Sequence, residues 1–399
     1  MTSSATASAS RRLAPYLGIM LVSLGLLTGI TSFPPIAAEI SKDIALTDVT
    51  YGLLGMLSPF TFGLMGLITP LVVRRLSLEW AILVAAALMG TGQLVRAFAG
   101  ESSMFFTFSI VSMLGIGAAN MLLPALIKRF FPDRVVSVST VYVVLLVVSS
   151  VYPPLFAVPI AQAAGWRTSI GVWALVEFAA VIPWVITLVR GRNSTAAVPV
   201  EAPVAGMAKK VWSHRVSWSL LAGYAVATLN FYVMVAWLPA MLAERTGASP
   251  ADAGALLSLY TALGIVTGLF IPGLLAKSGN IGSLFTANSI LMIAGYVGLM
   301  VAPATLTWLW VVLAGTAPSL FSIVLVGINY RTASQQGAVL LGGMATAGGY
   351  FIGASGPLIV GVLRAQGLDW NIVMTMLIVS SLVTIAVSFS LRRRVNVDQ

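Results

Sequence analysis

Gly66-Leu-Ile-Thr-Pro70 is followed five residues on by Arg75, and Gly268-Leu-Phe-Ile-Pro272 is followed five residues on by Lys277. Each segment closes an apolar run with a cation, and the two stand at matching places in the halves of the chain. Upstream, Pro35 with Glu39 recurs as Pro239 with Glu244, and Gly52 recurs as Gly254. Parallel repeats built of apolar runs describe two like bundles of helices joined end to end.

The surroundings of these segments fix their solvent. The 399 residues are 58% hydrophobic and only 9% charged, against about 25% charged in a soluble domain. Twelve apolar stretches fall at 13–38, 50–73, 80–99, 104–127, 135–160, 167–189, 216–243, 252–275, 283–302, 306–329, 336–362 and 370–391. A helix of ~20 apolar residues crosses a bilayer core of roughly 30 Å. The expected fold is therefore an all-α membrane protein of twelve transmembrane helices in two pseudo-symmetric six-helix bundles. The first run follows Arg11 and Arg12 and exceeds the ~7–15 residues of a signal-peptide core, so it reads as a retained helix.

The formal charge of +10 is spread singly or in pairs between apolar runs, which points to topology and not to a nucleic-acid partner. With the N-terminus inside, 17 of the 22 Lys and Arg fall on inner segments and 5 on outer ones. That bias orients a membrane protein positive side in. The expectation is a multi-pass protein of the cell membrane with both termini cytoplasmic. Its parts are an N-terminal tail at 1–12, a first bundle at 13–190, a linker at 191–215, a second bundle at 216–391 and a C-terminal tail at 392–399.

The paired Gly–Pro–cation segments resemble the loop signature that the major facilitator superfamily carries after its second and eighth helices, although the acidic residue usual in that loop is missing. They read either as part of a cytoplasmic gate, with Arg75, Lys128, Lys277 and Arg331 as its cations, or as plain inside-positive markers. Asn120-Met-Leu-Leu-Pro-Ala-Leu-Ile-Lys-Arg-Phe-Phe-Pro132, Gly165-Trp-Arg167, and Gly343-Met-Ala345 leading to Gly349-Tyr350 and Gly356-Pro357 resemble, more narrowly, the cyanate and 2-nitroimidazole transporters. The resemblance implies a secondary transporter of small solutes, working by alternating access, with its substrate site near the bilayer midplane between the halves. The sequence departs from that family in having Leu26-Leu27-Thr28 where Leu-Arg-Pro is common, and Thr346 in place of a Gln. The missing arginine argues against an anionic cargo, which needs a fixed countercharge in a membrane cavity.

In this superfamily the first, fourth, seventh and tenth helices and their neighbours line the cavity. Polar side chains there at helical spacing give the candidate substrate-binding residues Thr31, Asn120, Tyr152, Tyr224, Asn230, Ser319, Ser322 and Tyr350. Their competing role is hydrogen bonding between helices, worth ~0.6 kcal/mol each. Glu177 is the one carboxylate near the middle of an expected span, at a place where the family tends to be apolar. It is a proton-coupling candidate, or else a neutral carboxyl bonded to the next helix.

Arg96, near the outer end of the third helix, is placed to snorkel outward and pair with Glu101 or Asp48. The glycines of the eleventh helix, from Gly342 to Gly361, predict a bendable and closely packed segment. Trp80, Trp237, Trp308 and Trp370 read as interfacial anchors.

With no cysteine, a single histidine in the linker and none of the common hydrolase or nucleotide motifs, the expectation is no enzymatic activity, no cofactor and no metal. The reading is a monomeric carrier of a small organic solute in a lipid bilayer, with protons as a candidate second partner. Uptake of a polar nutrient and proton-driven export of a drug or metabolite are both open, and a non-transporting membrane sensor is the alternative from another class.

Overall fold

The computed structural model describes residues 2–190, 206–392 and 395–398. Among them the secondary structure is helical, with no strand. The elements are α1 Thr2–Gly25, α2 Thr28–Thr31, a 3-10 turn Pro34–Ile36, α3 Ala37–Asp43, α4 Asp48–Val72, α5 Leu78–Ala97, α6 Ser102–Phe130, α7 Val135–Gly171 and α8 Ala174–Arg190, followed by α9 Met207–Ser213, α10 Arg215–Thr246, α11 Pro250–Ser278, α12 Ile281–Val301, α13 Thr307–Ala314, α14 Ser319–Tyr330, α15 Gln335–Ala365 and α16 Trp370–Leu391. Eleven stretches of the described residues are long and apolar enough to cross a membrane. The stretch 135–190 counts once although it holds two spans, because α7 runs through Gly165, whose φ of 81° turns the chain between them.

Local chemistry sets the helix ends. The side chains of Ser77, Ser249, Asn280, Ser334 and Asp369 accept from backbone N–H groups of the first turns of α5, α11, α12, α15 and α16. Gly247 and Gly279, at φ of 67° and 61°, close α10 and α11.

Packing divides the described chain into two units, one of residues 1–46 and 64–199 and one of 47–63 and 200–399. In the first unit α5 packs on α6 and α8, and α1 on α7 and α8. Gly115 lets the backbones touch, since a methyl group there would sit 2.6 Å from the Ala85 carbonyl oxygen. α8 shows how the bilayer and the bundle share a helix. Leu175, Ile182 and Val189 face outward, while Glu177, Ala180, Trp184 and Thr187 are buried.

In the second unit α10 packs on α15 and α16, and α12 on α13 and α16. The glycines of α15 serve this packing. A methyl at Gly349 would lie 2.7 Å from the Tyr224 ring, one at Gly353 2.8 Å from the Ala225 carbonyl oxygen, and one at Gly356 2.9 Å from Leu229. The expected close packing is present, and α15 is one uninterrupted helix of 31 residues. Residues 47–63 pack into this unit through Gly52, which abuts the Pro357 carbonyl, and Tyr51, whose hydroxyl donates to the Ala236 carbonyl at 2.7 Å.

Spans are interrupted elsewhere: in the second unit the tenth span breaks between Ala314 and Ser319, and in the first unit there are further breaks. The first span breaks at Leu26–Leu27 and turns again at Ser32–Phe33, and the sixth breaks at Val172–Trp173. Pro34 and Pro35 have no N–H for the carbonyls of Ile30 and Thr31, so a regular helix cannot run through them.

Candidate functional site

The break in the first span is held open by side chains of other helices. Ser149 of α7 accepts from the Leu27 N–H at 3.1 Å, Tyr152 of α7 donates to the Leu24 carbonyl at 2.8 Å, and Arg96 of α5 donates through Nη2 to the Gly29 carbonyl at 2.7 Å. Irregular backbone at membrane depth persists where side chains satisfy its polar groups in this way.

The sixth span meets the first at its own break. Glu177, in the first turn of α8, places Oε1 3.2 Å from the Thr28 hydroxyl, which lies 2.8 Å from the Gly25 carbonyl. Glu177 is 0% exposed and Arg96 2%, so both charges lie in the bundle interior. Gln93, one turn from Arg96 on α5, donates to the Ile170 carbonyl at 2.8 Å. Glu177 Oε2, Arg96 Nε, Gln93 Oε1 and Ser112 Oγ are all buried without a hydrogen-bond partner. Gly29 joins this group, since a methyl there would lie 2.8 Å from Gln93 Oε1 and 3.5 Å from Ser112 Oγ. Unpaired buried polar atoms each cost roughly 1–3 kcal/mol, so a group of them needs a physical reason.

Arg96 is therefore not the outer-gate residue expected of it. It points inward because the Gly29 carbonyl, in the broken stretch, needs a donor, and Glu101 accepts from Ser103 at 2.6 Å instead. The composition of the third span shows a cation near its end but not which way the side chain turns.

The second unit repeats the meeting of its first and last spans without a charge. Asn230 of α10 donates to Ser380 of α16 at 2.9 Å and to the Val226 carbonyl at 2.8 Å. α10 runs unbroken through this point.

The remaining candidates separate into groups. Tyr224 and Tyr350 come together with ring centroids 5.1 Å apart, and Phe321, between Ser319 and Ser322 on α14, lies 5.0 Å from Tyr224. Phe231 extends the group at 6.1 Å from Phe321. Phe231, Phe321 and Tyr350 are half-buried and Tyr224 is buried. This aromatic face was missed in the sequence because Phe231 and Phe321 read as ordinary apolar residues of their spans. Thr31 bonds within its own turn, to the Leu27 carbonyl at 3.1 Å, and Asn120 is half-buried on α6 away from the break.

Of the candidate gate cations, Arg75, Lys128 and Lys277 are exposed at helix ends. Arg331 is buried, with Nη2 donating to the Leu391 carbonyl. Among the cations engaged at this end of the first unit are Arg129, paired with Glu79 at 3.0 Å, and Arg12, paired with Asp133 at 2.7 Å. Glu79 supplies a carboxylate four residues beyond Arg75, just outside the loop where the superfamily's acidic residue was sought. Trp237 and Trp370, expected as interfacial anchors, are buried, and their indole N–H groups bond the Pro357 carbonyl and Glu244. Trp80 and Trp308 are exposed.

The sequence profile of the Major Facilitator Superfamily matches residues 19–340. The chain belongs to the Major Facilitator Superfamily. It is thus a multi-pass membrane protein and a secondary carrier of small solutes, from a superfamily of transporters and not enzymes. It is 27% identical over 374 residues to the 2-nitroimidazole transporter of Escherichia coli (strain K12), covering 93% of each chain. It is 23% identical over 304 residues to the cyanate transport protein CynX of the same organism, covering 74% of this chain and 76% of that one. The narrower resemblance drawn from Asn120–Pro132 and the eleventh helix thus holds. Among solved structures, a bacterial homologue of the human lysosomal transporter Spinster, inward-facing and occupied, superposes with a TM-score of 0.71 over 95% of this chain and 96% of that one, at 15% identity. At that identity the likeness establishes the major facilitator fold.

Proposed function

We propose that this superfamily member moves a small, planar, neutral or weakly polar organic solute across the cell membrane by alternating access, with both termini cytoplasmic, and that it exchanges a proton at Glu177 in each cycle. One observation carries the coupling. At the meeting of first and last spans the second unit uses a neutral amide and hydroxyl, Asn230 and Ser380, where the first uses a carboxyl with an unpartnered oxygen. Packing at this place does not require a charge, and a titratable group there needs another reason.

The hydrogen bonding supports the same reading. Thr28 has one hydroxyl proton and the nearer acceptor is the Gly25 carbonyl. A protonated Glu177 completes the pair by donating to the Thr28 oxygen, whereas a carboxylate competes for a proton already in use. Proton loss therefore alters the bonding of the broken stretch itself.

The solute class rests on the aromatic face of Tyr224, Phe231, Phe321 and Tyr350, whose edge-to-face rings offer a surface for a flat molecule. The relative that bears the name 2-nitroimidazole transporter takes a solute of this shape. Ser319 and Ser322 flank Phe321 and supply hydroxyls for its polar edge, while Asn230 and Tyr152 are held in bonds between helices.

The test is uptake of 2-nitroimidazole into vesicles containing the purified protein. Glu177→Gln is expected to abolish accumulation driven by a pH gradient while leaving solute exchange at equal pH intact. Accumulation at the parent level in the Gln variant would remove Glu177 from the cycle.

A further inference from the structure

Arg96 and Glu177 are held one residue apart on the broken stretch of the first span. The guanidinium grips the Gly29 carbonyl at 2.7 Å and the carboxyl meets Thr28 at 3.2 Å. They form no direct ion pair, yet each acts electrostatically on the other. Of the elements packed on Glu177, α5 presents Arg96 and α7 presents Tyr152 as titratable groups, while α1 and α2 present Gly25 and Thr28. The Tyr152 hydroxyl is engaged with the Leu24 carbonyl. Arg96 is the cation within this buried group.

We infer that Arg96 is the positioning residue of the proton site, holding the Gly29 carbonyl when Glu177 is protonated and turning to the carboxylate when the proton leaves. The inference rests on the reading of Glu177 as the proton carrier. A lone carboxylate in the bundle interior is costly, and Arg96, whose Nε–H has no partner and which acts electrostatically on a carboxyl with an unpartnered Oε2, would lower that cost by pairing. The same movement takes a hydrogen bond away from Gly29, in the short helix α2 between two breaks. Proton release therefore loosens the stretch 26–33, and proton binding restores it. No counterpart of this exchange exists at Asn230 and Ser380, so the first unit alone carries it.

The chain has no cysteine, so spin labels attached at Ala38→Cys and Phe98→Cys report the outer part of the first span against the end of α5, with no solute required. In the protein with native Arg96 and Glu177 the label separation is expected to change with pH in a single transition. Glu177→Gln should stay in the low-pH arrangement at every pH. Arg96→Gln should lose the transition in separation, and the pH profile of 2-nitroimidazole exchange should move upward by roughly one unit, because the carboxylate has lost its nearby cation. Arg96→Lys, which keeps the charge without the fork, should keep the transition with a displaced midpoint.

A separation that does not change with pH in the native background, or an Arg96→Gln protein with the native transition, overturns the inference. If Arg96→Gln does not fold, an unchanged midpoint in Arg96→Lys does the same. Loss of the transition in Glu177→Gln with its retention in Arg96→Gln sinks only the role of Arg96. Retention in Glu177→Gln sinks the proton site itself.

Discussion

Asp43 and Glu244 receive the same two donors in the two units. Asp43, at the end of α3, accepts the Trp166 indole N–H at 2.9 Å and the Arg167 guanidinium at 2.7 Å, and Arg167 lies 4.3 Å over the Trp166 ring. Glu244, near the end of α10, accepts the Trp370 indole N–H at 2.8 Å and Arg364 at 2.6 Å, and Arg364 lies 4.4 Å over the Trp370 ring. A left-handed glycine, Gly165 or Gly367, precedes each tryptophan. Each clamp ties the first span of its unit to the loop before the last.

The two clamps should not be equal in strength. Arg364 is 20% exposed in its pair, whereas Arg167 is 45% exposed in the other. Exposed pairs contribute about 0–1 kcal/mol, and a bond to a charged acceptor about 1.5–3 kcal/mol when water is excluded. Because Glu244 is itself 51% exposed, Glu244→Ala is expected to lower thermal stability in detergent by only about 1 kcal/mol, and Asp43→Ala by less. Equal losses would show that stacking, and not shielding of the arginine, sets the strength.

The glycines of α15 give a second expectation. Gly353→Ala forces a methyl against the Ala225 carbonyl and the Thr228 side chain and should cost about 1–3 kcal/mol. Gly343 has nothing within 4 Å of the added methyl, and Gly343→Ala should leave stability unchanged or raise it slightly. Thermal unfolding of the two variants separates a packing role from a bending role. A stable Gly353→Ala protein with impaired transport would assign this glycine to bending.

Asp398 gives a third, with a defined sign. Its carboxylate accepts from the N–H groups of Ala333 and Ser334 and from the Ser334 hydroxyl, all at 2.7–3.0 Å, ahead of α15. Partial burial pushes the carboxyl up, but these bonds outweigh it and hold it below the ordinary carboxylate value. A group lowered in this way stabilises the folded state above its unfolded value of ~3.9 and loses that contribution as pH falls through the lower, folded value. A fluorophore placed at Val395→Cys should therefore gain mobility only in that acidic window, and Asp398→Asn should show the mobile signal at neutral pH. Release at pH 6 in the native chain would exclude the carboxylate as the latch.

The number and position of the spans were legible because bilayer thickness imposes a length on each apolar run. The major facilitator arrangement was legible from Gly66–Arg75 and Gly268–Lys277. Glu177 stood out because a carboxylate inside an apolar span is costly. Its surroundings were not legible: α5 brings Arg96 and Gln93 from far along the chain, and nothing in a single helix says that they share a pocket with Thr28. The glycines of α15 were legible as points of close approach, but the helix they approach was not, because α10 lies far away along the chain. The break in the first span was not read from Pro34 and Pro35, because a proline's missing N–H acquires a role only beside the side chains that satisfy the freed carbonyls.

The cap on α15 also bears on the order in which the chain is made. Ser334 leaves the ribosome 64 residues ahead of Asp398, so α15 and α16 must be delivered to the lipid while the start of α15 lacks its anion. That end of the helix is then completed from behind, by the last segment described here, as a bolt slid home after the door is hung. A fusion partner attached directly after Asp398 would burden the final step of assembly, whereas one placed before the first span would leave it untouched.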